Sequence, residues 1–111
     1  MKESKIFVVI KEPGKAPVIE PMFDNSLESF QKAVGGYIET VTISDDLVII
    51  CNEEGRLRNL PYNCDVCGVS FVGTIIFCGV SEDEFCDIPV DYQTLKNFMP
   101  GMWEDCENGK V

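Results

Sequence analysis

Two stretches are apolar without interruption, residues 6–10 (Ile-Phe-Val-Val-Ile) and residues 47–51 (Leu-Val-Ile-Ile-Cys). Each is too short for a helix and rich in β-branched side chains. Both predict central strands covered on two faces. Between them the pattern changes. Residues 16–21 read as a short strand joined to the first by the turn Glu12-Pro13-Gly14-Lys15. Pro17 and Pro21 cannot donate to a ladder, so that strand belongs at a sheet edge. Residues 37–43 alternate, and the short polar turn Ser44-Asp45-Asp46 predicts antiparallel pairing with 47–51. A fifth strand is placed at 73–79, between two glycines.

Two segments have helical spacing. After Asn25, the expected cap, Leu27, Phe30 and Val34 form an apolar stripe that Gly35-Gly36 ends. After Asp91, the residues Tyr92, Leu95, Phe98 and Met99 form a second stripe, stopped by Pro100-Gly101. Residues 56–67 have no clean period and predict a long ordered loop, and residues 81–87 an acidic loop. The expected fold class is α+β in the order ββαβββα. A mostly antiparallel five-stranded sheet would have two helices packed on it. The 111 residues suit one domain, 1–111, with 104–111 as a flexible tail.

Composition narrows the chemistry. Histidine is absent, which removes Ser-His-Asp and Cys-His catalysis and every His-containing metal site. The formal charge is −10, and residues 81–111 hold eight acids against two bases. Such a chain lacks the basic surface that phosphate backbones require, so no direct nucleic-acid binding is expected. Its acidity suits a partner with a basic surface, such as a host protein, or mimicry of nucleic acid. No window is apolar enough for a membrane span or a signal-peptide core, which predicts a cytoplasmic protein whose six cysteines are reduced. Cys64-Asp65-Val66-Cys67 has metal-like spacing, but a structural zinc site needs a second pair. Cys64 and Cys67 are therefore weak metal candidates, and no metal or cofactor is expected. No phosphate-binding glycine pattern occurs.

Several segments carry a family resemblance: Gly35-Gly36-Tyr37-Ile38-Glu39, then Val48 to Gly55, Leu60-Pro61-Tyr62-Asn63 and Gly73-Thr74. In this order, together with Val9 to Gly14 and Leu27 to Phe30, they resemble the family of domain of unknown function 3846. The resemblance implies a small single-domain cytoplasmic protein of mobile-element type, without implying an activity. Where the family pattern tends to place a basic residue after its Leu-Pro-x-Asn segment, this chain has Cys64.

The best candidate binding residues are Asn52, Glu53, Arg56, Asn59, Tyr62 and Asn63. They leave one buried strand and precede another, so they could converge at a sheet end and read a small polar ligand or a peptide backbone. The same asparagines could equally hold turn backbone through their amides. Adjacent Glu53 and Glu54 lack the separate environments that an acid/base pair needs, so no catalytic residue is expected. The leading expectation is a non-enzymatic interaction module. The alternative is a small-ligand domain, for a nucleotide or signalling molecule, using the 52–63 loop.

Overall fold

The computed structural model describes residues 4–89. Its elements in chain order are β1 (Lys5–Lys11), β2 (Val18–Asp24), α1 (Leu27–Val34), β3 (Ile38–Ser44), β4 (Leu47–Asn52), β5 (Tyr62–Val66), β6 (Val69–Val72), β7 (Ile75–Ser81) and β8 (Glu84–Cys86). The main sheet runs β2-β1-β7-β4-β3, with β8 also paired to β7, and every pairing is antiparallel. β5 and β6 form a separate hairpin.

The apolar runs do what their composition requires. All six residues of β4 are buried. Its side chains alternate between two cores. Leu47, Ile49 and Cys51 join Val9, Ile75, Phe77 and the inner face of the β5–β6 hairpin, Cys64, Val66 and Phe71. Val48 and Ile50 join Ile6, Val8, Ile76, Cys78 and the helix residues Phe30 and Val34. The molecule is thus a helix, a sheet and a hairpin in three layers. Pro21 lies in β2, at the edge of the sheet, as a residue without an N–H should.

Helix α1 starts one residue later than the sequence suggests. Ser26, not Asn25, is the cap, and its Oγ accepts from Ser29 N at 3.2 Å. Asp24 accepts from both Ser26 Oγ and Ser29 Oγ at 2.9 Å, which draws its carboxyl below the usual range. Asn25 is buried instead and donates to Phe85 O of β8 at 3.1 Å. Phe30 stands between Phe23 and Phe85 with ring centroids 5.0 Å from each. Leu27, at the first turn, is exposed rather than part of the buried stripe. Gly35 closes the helix with φ of 80°, a left-handed conformation that suits a residue without Cβ.

The expected order ββαβββα needs correction. The segment 56–67, read as loop, contains strand β5, which turns back at Cys67-Gly68 into β6. Residues 81–87 are not a loop either, since Glu82 and Asp83 form the two-residue turn of the β7–β8 hairpin. Both turns have positive φ at both central residues, 51° and 81° at Cys67-Gly68, 51° and 66° at Glu82-Asp83. That geometry matches the twist of paired strands. The main sheet therefore has six strands rather than five. One helix stands among the described residues, and the second expected helix and the 104–111 tail lie outside them.

β7 changes neighbours along one edge. Ile75–Phe77 pair with β1, and Gly79–Ser81 pair with β8. The chain leaving β8 then rejoins β1, where Phe7 N donates to Asp87 Oδ1 and Ile88 N donates to Phe7 O, both at 2.8 Å. A Cβ on Gly79 would collide with the Asp87 carbonyl. Gly79→Ala should therefore lower stability by about 1–3 kcal/mol, read as a fall in the urea midpoint. An unchanged midpoint would mean that β8 does not return across this strand.

Candidate groove between sheet and hairpin

The hairpin does not cover the whole sheet. A groove of about 480 Å³ lies between the β3–β4 side of the sheet, the loop after β4, and β6. Its floor holds Val41, Cys51 and Phe71, and its rim holds Glu39, Glu53, Arg56, Leu57 and Val69. Leu57 is 84% exposed and Val69 39% exposed, a large apolar presence for a loop and a strand end. A shallower hollow of about 270 Å³ lies on the other side of that loop, beside Lys32 and Pro61.

The six candidate residues divide. Asn52, Glu53 and Arg56 line the groove, whereas Asn59, Tyr62 and Asn63 do not. Even Asn52 is chiefly a fastener. Its Nδ2 donates to Val34 O at 3.0 Å, satisfying an orphan carbonyl at the end of α1, while Oδ1 accepts from Glu54 N at 2.7 Å. Glu53 is exposed, with its N–H bonded to Tyr37 O at 2.8 Å. Arg56 reaches across and donates to Ser70 O at 2.6 Å, tying the loop to β6. Arg58 turns away to Glu54, 3.3 Å distant. Asn59 has φ of 55°, and its N–H bonds Arg56 O, so it shapes the turn.

Tyr62 and Asn63 belong to the hairpin. Tyr62 donates to Asp65 at 3.0 Å, and Ser70 donates to the same carboxylate oxygen at 2.7 Å. The bond to Asp65 raises the phenol pKa, and the two bonds from Ser70 and Tyr62 lower that of Asp65. The β5–β6 register slips between Tyr62 and Cys64, and at this bulge both Asn63 and Cys64 are buried. Asn63 Nδ2 then donates to Lys11 O at 2.8 Å and Gly73 O at 2.7 Å. It clips the hairpin to the end of β1 and the approach to β7. Its Oδ1 is buried with no hydrogen-bond partner among the described residues.

The thiols are separated by the hairpin. Cys64 packs in the core, while Cys67 is exposed at the turn. Among the described residues no group of three or more His, Cys, Asp or Glu side chains could hold a metal ion. Cys51, Cys64, Cys67 and Cys78 are free thiols. Burial pushes the Cys51 thiol up to about 11, with the Glu39 carboxylate adding to the rise and Arg56 opposing it. Burial likewise pushes Cys78 up to about 12. A thiol at the groove floor is thus held protonated near neutral pH, the opposite of an activated nucleophile. The groove combines an apolar floor with a rim that carries Glu39, Glu53 and Arg56.

The residues that sequence reasoning missed are Glu39, Leu57 and Val69. Glu39 comes from a strand remote in sequence, and Leu57 lies in the segment 56–67, which has no clean period. Only their exposure, set by the sheet pairing, brings them to one rim.

Residues 4–98 match the family model described as Domain of unknown function (DUF3846). The chain belongs to that family. The segments Gly35 to Glu39, Val48 to Gly55, Leu60 to Asn63 and Gly73-Thr74 that carried the resemblance lie within that match and include Asn52, Glu53 and Asn63. No curated protein and no solved structure matches the chain. No helix among the described residues of this DUF3846 domain is long and apolar enough to cross a membrane.

Asn63→Ala should destabilise the fold by roughly 1–3 kcal/mol, because two buried carbonyls lose their donor. Asn63→Asp should cost at least as much, since a carboxylate cannot donate. A melting temperature unchanged by either would overturn the fastening role. The thiols make a second prediction. Their folded pKa values lie above the ordinary 9.0, so the unfolded chain releases these protons first as pH rises. Their contribution is intact below pH 9 and is lost between 9 and 12. The urea midpoint should fall from pH 8 to about pH 11, and Cys78→Ala should make that fall shallower than in the wild type.

Proposed function

We propose that this domain is a non-enzymatic protein-interaction module of mobile-element type, working in the cytoplasm, with the groove beside Leu57 as its docking surface. The observation that carries this reading is the 84% exposure of Leu57 on the rim of a groove of about 480 Å³. Burying such a side chain against a partner is worth roughly 1.5–3 kcal/mol. The acids Glu39 and Glu53 stand beside it, and the charge of −10 steers basic partners toward the domain. The two arginines of the loop are already engaged, Arg56 with Ser70 O and Arg58 with Glu54. A protonated Cys51 and the lack of histidine offer no ready nucleophile or shuttle. A small ligand in the same groove is the second reading, supported by a volume within the range of ligand pockets. Under that reading a nucleotide or signalling molecule should raise the melting temperature, and Arg56→Ala should reduce the rise.

The interaction reading is tested by comparing proteins captured from a bacterial lysate by the wild type and by Leu57→Glu, at low and moderate salt. The expected result is a partner retained by the wild type, weakened by salt and lost with the variant. Identical captures by the two proteins would remove the groove from the reading.

A further inference from the structure

The two edges of the main sheet are not alike. β2 carries Pro21, and its pairing with β1 is broken by a register shift between Ile6 and Val8. Proline discourages a further strand. β3 has no proline and no lysine, and among the described residues no strand pairs with its outer side. Its register with β4 is regular from Ile38 to Thr42 and shifts between Thr42 and Ser44, at the strand end.

The direction of its free backbone groups follows from one bond. Glu53 N donates to Tyr37 O, so Ile38 and Asn52 form a non-hydrogen-bonded pair. Alternation then turns the N–H and C=O groups of Glu39 and Val41 toward β4. Those of Thr40 and Thr42 turn outward, unpaired by the sheet. The side chains of Glu39 and Val41 line the groove from this same strand. Among the described residues an open ladder and a groove therefore share one wall.

Charge selects the occupant. Glu39 lies on the strand, Asp45 and Asp46 follow one end, and Glu53 adjoins the other. A second copy would bring these acids, and a charge of −10, against their own kind. From the open edge, the shared groove and the acidic flanks we infer that β3 receives an extended segment of a basic partner protein. The segment adds as a further strand and sets apolar and basic side chains beside Val41 and Glu39. This rests on the interaction reading above and specifies its partner. Backbone bonds to Thr40 and Thr42 supply the affinity, and the alternate side chains supply the selectivity.

The probe is a capped hexapeptide, Val-Thr-Val-Thr-Lys-Thr, which in antiparallel register sets its lysine opposite Glu39 and a valine opposite Val41. It is titrated into the isotope-labelled full chain and followed by amide shifts. The expected result is perturbation centred on Thr40 and Thr42, with the glutamate version of the peptide binding about fivefold more weakly. Thr40→Pro with Thr42→Pro removes the two outward donors and leaves the ladder to β4 intact, so it should abolish the response. Glu39→Lys, which leaves the backbone untouched, should reverse the preference between the two peptides. No β3 response to millimolar peptide overturns the inference, as does binding that survives the prolines in a folded variant. Shifts at Leu57 and Val69 that ignore the prolines would reject strand addition while keeping the groove reading. Loss of both responses would reject the two together. Dimers in sedimentation that the prolines dissolve would assign the edge to a second copy instead.

Discussion

The antiparallel ladder between Leu47–Ile50 of β4 and Ile76–Gly79 of β7 is the constraint on which the other elements depend. Both strands are apolar on both faces, so neither face can be left to water. Helix α1 covers one face and the β5–β6 hairpin the other. A single-layer cover would strand half of these side chains in solvent, at roughly 25 cal/mol for each Å² exposed. The groove has the same origin. The hairpin covers the centre of the sheet, and its cover runs out toward β3, where Val41 and Cys51 form part of the groove lining.

Covers must be fastened as well as apolar, and two asparagines do this on opposite sides. Asn52, at the end of β4, holds the last turn of α1. Asn63, at the hairpin bulge, holds the end of β1 and the approach to β7. Each is buried and each uses its amide on backbone groups that would otherwise lack a partner. A polar side chain in a loop near a sheet end satisfies the description of a ligand-binding residue and of a fastener alike. Burial separates the two, because a fastener spends its donors inside the fold.

That ambiguity marks the limit of what the residues disclose in order. Residues 6–10 and 47–51 announced central strands because nothing except double burial explains an unbroken β-branched run. Pro21 announced an edge, and Gly35 a helix end. The β5–β6 hairpin stayed hidden for physical reasons. One of its faces is solvated, the bulge at Asn63 interrupts its alternation, and its turn places Cys67 at a positive φ more typical of Asn or Gly. Glu82-Asp83 concealed the second hairpin in the same way. Of the groove, the sequence disclosed the contiguous part, Asn52, Glu53 and Arg56. Glu39 and Val69 reach it through pairings across the chain, which no local pattern encodes.

An open, β-branched edge is ordinarily a route to aggregation, and β3, open among the described residues, lacks the usual local protections of proline and lysine. The net charge supplies protection of another kind. Two copies approaching through β3 must each bring a net formal charge of −10, a repulsion that acts before any ladder bond can form. The same repulsion does not act on a basic chain, for which it becomes attraction. On the proposed reading, charge converts an unselective edge into a selective one. On that reading the acidity of the domain has a structural consequence beyond solubility, because it lets Thr40 and Thr42 present backbone groups unpaired among the described strands without inviting a second copy.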